Sequence, residues 1–217
     1  MKIIVGITTY DRPEEYRATV KAIRKAAPKE HTVGVVAVQD GGPMYVRNGK
    51  LLTVSYKEHG GKRGYWATVS HLWSIVKEKD PDVFIQVPDD FGYSPGWMDK
   101  VLDILSQLDE NAFLNILPCG RKQWRFHPHP HPSLPVDDFA FIDGAFATTR
   151  RGMKALRWSA YPMPDEYFEQ KGIGSGVWRL VSGRLRTKRV PMYRMQEAVV
   201  FTDWSGEKSK MNPHRHA

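Results

Sequence analysis

Apolar residues along this chain follow two alternating patterns. Short β-branched runs stop at Gly, Pro or Asp, and between them lie stretches whose apolar positions recur every three or four residues. Lys2 to Thr9 reads as a strand leading into Tyr10-Asp11-Arg12-Pro13, where Pro13 suits the first position of a helix. Tyr16, Val20, Ile23 and Ala27 then share one helical face, and the helix ends before Pro28. Thr32 to Val38 is a second strand closed by the turn residues Gln39-Asp40-Gly41-Gly42-Pro43. Leu51 to Tyr56 is a third, followed by the glycine-rich loop His59-Gly60-Gly61-Lys62-Arg63-Gly64. A helical stripe of Val69, Leu72, Trp73 and Val76 runs up to the break at Asp80-Pro81. Val83 to Val87 is the next strand, and it ends at Pro88 with two consecutive acids, Asp89 and Asp90. Ser94 and Pro95 are expected to cap and start a helix carrying Met98, Val101, Leu102, Leu105 and Leu108, before a strand from Ala112 to Leu117.

Beyond Pro118 the pattern weakens. Pro118 to Asp138 has no clear period and is longer than an ordinary connection, which predicts a functional loop or flap. Phe139 to Thr149 is strand-like around Asp143-Gly144, Arg150 to Trp158 predicts a short helix, and Val177 to Val181 predicts another, followed by the basic segment from Arg184 to Pro191. The order strand, helix, strand, strand, helix, strand in the first half predicts an α/β fold. Its mixed, mainly parallel sheet is flanked by helices in a single domain over residues 1–217.

Composition narrows the classes. With 41% hydrophobic residues the chain can build a large core, yet no apolar run approaches the roughly 18–20 residues of a membrane span. The first residues read as a strand rather than a leader, which makes the cytoplasm the expected location. The single cysteine, Cys119, excludes an intrachain disulfide and a multi-cysteine zinc site. The net charge of +8 is uneven: residues 1–149 hold 18 Lys+Arg against 18 Asp+Glu, whereas residues 150–217 hold 14 against 6. The excess cations form either a solvated face or a polyanion-binding face.

Ligands of open α/β sheets bind outside the carboxyl ends of the strands, so Asp89 and Asp90 are placed for a divalent metal and a phosphorylated substrate. A solvated turn with helix-capping acids is the plainer alternative. Arg121, Lys122, Trp124, Arg125 and Phe126 interleave cations with aromatics, the pattern that stacks bases and contacts phosphates. His127, His129 and His131 alternate with prolines, which favours a stiff exposed loop over a zinc site.

Three stretches, ITTYDRPEEY, VVAVQDGG and VFIQVPDDFGYSPGWMDKVL, together resemble the nucleotide-sugar glycosyltransferases of the GT-A fold, especially the family 2 group, over residues 1–105. The resemblance implies a Rossmann-like GT-A domain with a nucleotide-sugar-binding half over 1–117, an acceptor half over 118–205 and a polar tail over 206–217. It implies transfer of a sugar from a nucleoside diphosphate, a UDP-sugar first, with Mn²⁺ or Mg²⁺ as cofactor. Asp90 would be the direct metal ligand, and Asp89 a metal or ribose contact. Asp11 and Asp40 would accept hydrogen bonds from uracil or ribose, with Thr8 beside them, Tyr10 able to stack on the base, and Lys62 and Arg63 on the diphosphate. His214 and His216 match a late metal-ligating histidine in many such enzymes, although a plain polar tail explains them too.

An inverting transferase also needs a carboxylate base. The family's acid pair falls here on Gly172 and Ile173, so the base is sought among Glu166, Asp165, Glu169 and Asp143. A retaining mechanism would need none. The basic final third and the 121–127 stretch point to DNA as acceptor, in the manner of enzymes that glycosylate hydroxymethylated pyrimidines; a surface polysaccharide or other glycan is the alternative. A nucleotidyltransferase would need a long glycine-rich signature after the first strand, which TTYDRP lacks, and a non-catalytic nucleic-acid-binding domain would leave three acid-bearing strand ends unexplained.

Overall fold

The first strand, β1 (Lys2–Thr9), is buried along nearly its whole length, because it lies in the middle of the sheet with helices over both faces. A computed structural model describes residues 1–41, 52–57, 61–117, 128–160 and 175–201; the side chains of 52–57, 61–63 and 175 are not described. On one side β1 pairs in parallel with β2 (Thr32–Asp40), which pairs in parallel with β3 (Leu52–Lys57); on the other it pairs in parallel with β4 (Val83–Pro88). These ladders are long, with Lys2 opposite Thr32 through Thr9 opposite Gln39, and Thr8 opposite Pro88.

The direction reverses beyond β4. There β9 (Phe146–Thr149) runs antiparallel between β4 and β6 (Phe113–Asn115), β10 (Met192–Met195) lies parallel to β6, and β8 (Val136–Asp138) and β7 (His129–Pro130) finish the edge. The result is a nine-stranded mixed sheet in the order β3-β2-β1-β4-β9-β6-β10-β8-β7, with its longest ladders parallel. A separate two-stranded ladder joins β5 (Gly92–Tyr93) to β11 (Val200–Phe201).

Alternate residues of each central strand feed two cores. Ile3, Val5 and Ile7 of β1 and Val83, Ile85 and Val87 of β4 face helices α1 (Pro13–Ala26) and α3 (Trp97–Gln107). Ile4 and Phe84 face the other way, toward α2 (Gly61–Glu78), α4 (Arg150–Ala155) and α5 (Ser175–Thr187). Each large side chain so buried stabilises by about 1.5–3 kcal/mol relative to exposure. Helix α1 begins at Pro13 with Glu14 and Glu15 in its first turn and ends with Arg24 and Lys25 in its last, both favourable to the helix dipole.

Several expectations change in the mixed half. Helix α3 starts at Trp97, not Pro95, with Gly96 in the left-handed region at φ 66° before it. Ser94 is used elsewhere: its N–H and hydroxyl both donate to the Val199 carbonyl, at 3.0 and 3.2 Å, beside the β5–β11 ladder. The strand-like stretch from Phe139 contracts to Phe146–Thr149, and Ala112–Leu117 to Phe113–Asn115. The expected flap contains the β7–β8 pair, so His129 and Pro130 form an exposed edge strand rather than a polyproline loop, and a proline is tolerated there. Helix α5 extends to Thr187, since Leu185 continues the buried stripe of Val177, Trp178 and Val181, and the first half of the expected basic segment is helix. Among the described residues no helix is long and apolar enough to cross a membrane.

Candidate active site

Three parallel strands end side by side. β1 leads into Tyr10-Asp11-Arg12, β2 ends at Asp40, and β4 leads into Asp89 and Asp90. Asp11 takes a left-handed backbone, φ 47°, which a short polar side chain tolerates better than most, and the chain turns there from strand into α1. Arg12 follows at the helix N-cap, almost fully buried.

The two acids after β4 differ in kind. Asp89 is 3% exposed, and its carboxylate is held on both oxygens: the Thr9 hydroxyl donates at 2.5 Å, and an Arg12 guanidinium N–H donates at 3.3 Å. Its backbone carbonyl accepts from the Thr19 hydroxyl of α1 at 3.0 Å. Asp90 has a side chain 28% exposed and pairs with the same guanidinium nitrogen at 2.6 Å. Arg12 therefore sits between two carboxylates, and the trio carries one excess negative charge when both are ionised. Burial pushes the Asp89 carboxyl up from 3.8 to about 7, against the pull of Arg12 and Thr9 and with a further push from Asp90.

The other expected residues at this edge fall as follows. Thr8 is buried opposite Pro88, Tyr10 and Asp11 are half-buried, and Asp40 is buried at the tip of β2. Asp143 precedes β9, whose antiparallel run brings its beginning to the same edge as the end of β4; its carboxylate accepts from the Gly144 N–H at 2.8 Å. Behind it Gly144 lies against the buried Trp178 of α5. Lys62 and Arg63 belong to the first turn of α2 rather than to a loop, and their side chains lie outside the described residues. Asp165, Glu166, Glu169, Gly172, Ile173, Cys119, His127, His214, His216 and the stretch Arg121, Lys122, Trp124, Arg125, Phe126 also lie outside them.

Sequence reasoning missed Arg12, Thr9 and Thr19. The available signal was a cation, Arg12, set beside Asp11 on an edge otherwise lined by acids, where buried carboxylates need a counter-charge.

No family model matches the sequence, and no curated protein matches it significantly. Solved structures do match. GalNAc-T7, in a crystal structure with UDP, GalNAc and Mn²⁺, superposes with a TM-score of 0.64 at 12% identity, over 98% of this chain and 46% of the other. TarS of S. aureus, residues 1–349, superposes with a TM-score of 0.59 at 15% identity, over 90% of this chain and 60% of the other. Both are GT-A fold glycosyltransferases. The fold is GT-A. This chain spans about half the length of these GT-A neighbours.

The side chains on the GT-A edge suit a hard divalent ion. Asp90 offers partly exposed carboxylate oxygen, and Mg²⁺ or Mn²⁺ commonly takes one or two carboxylates, with phosphate and water filling the remaining positions. Asp89, with both oxygens engaged, is built to hold Arg12 and through it Asp90. Among the described residues no group of three His, Cys, Asp or Glu forms a metal cluster.

Proposed function

We propose that the chain is a metal-dependent glycosyltransferase that moves a sugar from a nucleoside diphosphate, UDP in the first instance, to an acceptor hydroxyl. The observation that carries this reading is Asp90, set beside the anchored Asp89 at the end of β4 between the ends of its neighbours in a GT-A sheet. Asp90 would hold Mn²⁺ or Mg²⁺, which when bound neutralises charge on the departing diphosphate. Asp89, Thr9 and Arg12 fix Asp90 in place, so that little rearrangement is needed on binding. Asp40 and Asp11 would accept from the nucleoside, with Thr8 beside them and Tyr10 stacking on the base.

In the transfer step the bond from the anomeric carbon to the phosphate oxygen breaks, the acceptor oxygen bonds to that carbon, and the hydroxyl proton leaves. Asp143 is on the same edge and is the candidate base among the described residues; Asp165, Glu166 and Glu169 remain candidates outside them. For the acceptor we favour a hydroxymethylated pyrimidine in DNA, supported by the cation–aromatic stretch 121–127 and the basic excess over 150–217.

The test is Asp90→Ala, assayed with Mn²⁺, UDP-sugars and hydroxymethylated duplex DNA, with nucleoside mass spectrometry as the readout. Wild type should add a hexose or pentose mass, and the variant should lose both transfer and Mn²⁺-dependent UDP binding while melting cooperatively. Full activity in Asp90→Ala would sink the metal assignment. Transfer to an oligosaccharide with no modified base would move the acceptor from DNA to glycan.

A further inference from the structure

The opposite edge of the sheet carries charge of the other sign. Helix α4 starts directly after Thr149, which pairs with Val83 at the beginning of β4, and α5 ends just before β10 begins at Met192. Both features belong to the amino edge, about 25 Å from Asp90 by the length of β1 at about 3.3 Å per residue.

Lys154 lies in the last turn of α4 with Arg157 just past it, Arg184 and Arg186 lie in the last turn of α5 with Lys188 and Arg189 just past it, and the hydrogen bond from Arg184 to Ser159 joins the two ends. All but Arg184 are exposed, and none has a carboxylate partner among the described residues. The sequence contains no acid between Gly144 and Pro164 or between Gln170 and Gln196. The two helices meet closely enough that burial and Arg157 together lower the pKa of Arg184. Arg184 and Arg186 also brace the surface, donating to the carbonyls of Ser159 at 3.1 Å and Ala140 at 2.6 Å.

The backbone adds an independent observation. Both helices finish with a left-handed residue, after which the next N–H donates to the carbonyl five positions back: Trp158 to Met153 at 3.0 Å and Val190 to Leu185 at 2.9 Å. Glycine is the usual occupant of that position, because a Cβ is disfavoured there. Here both positions hold arginine, Arg157 at φ 56° and Arg189 at φ 53°, and the buried Trp158 that follows Arg157 is left-handed as well, at φ 53°. Both helix ends thus keep a guanidinium where glycine would relieve the strain, so a change to glycine removes charge without a cost to the backbone.

We propose that this face is a docking surface for the phosphate backbone of a nucleic acid, separate from the candidate active site. Four of the six cations are arginines, whose planar fork matches phosphate oxygens in pairs. A lipid surface fits less well. Interfacial helices insert apolar side chains, whereas the apolar stripe of α5 is buried in the core, and the exposed large apolar residues among those described, Met1 and Phe201, lie on neither helix. The choice of nucleic acid over other phosphodiester polymers rests on the acceptor reading above through its cation–aromatic stretch 121–127, which lies outside this patch, and the binding does not depend on transfer.

The experiment is fluorescence anisotropy of a labelled DNA duplex across a salt series, with chelator present and no nucleotide sugar. Wild type should bind with a steep salt dependence. The double variant Arg157→Gly with Arg189→Gly should melt at the same or a higher temperature, bind roughly tenfold more weakly, and show a log–log salt slope shallower by about 0.9 for each phosphate it no longer neutralises. Lys154→Gln with Lys188→Gln, at relaxed and exposed positions, should weaken binding in the same direction and carries the test if the glycine variant does not fold. Asp90→Ala should bind the duplex like wild type, so loss of transfer and loss of docking are separable failures. Two results overturn the proposal: unchanged affinity and slope in the charge variants, or patch-dependent binding to phosphatidylserine vesicles without binding to DNA.

Discussion

Strand β4 carries a pair of aspartates at each end, and each pair has its own arginine. Before the strand, Arg150 bridges Asp80 and Asp82 at 3.2 and 3.0 Å; after it, Arg12 bridges Asp89 and Asp90 at 3.3 and 2.6 Å. The chemistry is the same and the setting is not. The Arg150 side chain is 36% exposed and its acids are more so, whereas Arg12 is 10% exposed and Asp89 4%. Water can replace any partner in the first trio, whereas in the second it reaches only Asp90. An exposed trio of this kind fastens a chain crossing, here β1 to β4 to α4, through Lys2 and Arg150. A buried one fixes charges at set positions, which is what a binding site requires.

The largest test of this contrast is Arg12→Ala. Measured above pH 7, where Asp89 is ionised, it leaves Asp89 buried beside Asp90 without its cation and should cost about 3–5 kcal/mol in urea or thermal unfolding. A loss below about 1 kcal/mol would place the two trios in one class. The next test is pH. Folded Asp89 keeps its proton up to about 7, against 3.8 unfolded, so between those values the folded state binds more protons and stability falls as pH rises. Melting temperature measured with chelator should therefore decline across that window, by an amount equivalent to a few kcal/mol at most, and Asp89→Asn should flatten the decline. A flat wild-type profile would mean that Arg12 keeps Asp89 ionised throughout. Smallest of all should be Arg150→Ala, costing about 1 kcal/mol or less; a loss as large as that from Arg12→Ala would show that exposure is not what separates the trios.

The two halves of the sheet were unequally legible. β1, β2 and β4 lie between helices, so both their faces are apolar and they read as continuous runs whose ends carry the acids. The short strands β6, β8 and β9 owe their existence to partners far along the chain, such as Asn115 opposite Phe146 and Val136 opposite Met195, which no local pattern encodes. Ser94 and Pro95 looked like a helix start, but their neighbourhood pairs with Val200 and Phe201 instead. The site divides in the same way. Asp89 and Asp90 were visible at a strand end, while Arg12 was not, because its partners stand 77 and 78 positions away and only burial makes it indispensable. The patch at the ends of α4 and α5 was visible as composition only; its place on the edge opposite the acids follows from strand direction.

The small ladder between β5 and β11 has a topological consequence. Gly92 leaves room for the Phe201 ring, which a side chain at that position would strike, and so the chain is clipped just after Asp89 and Asp90. Position 201 acts as an anchor point. A group 13 positions downstream, such as His214, is tethered within about 47 Å of it, the reach of a fully extended chain of that length. Such a tether converts an encounter between separate molecules into an intramolecular one, at an effective concentration on the order of millimolar.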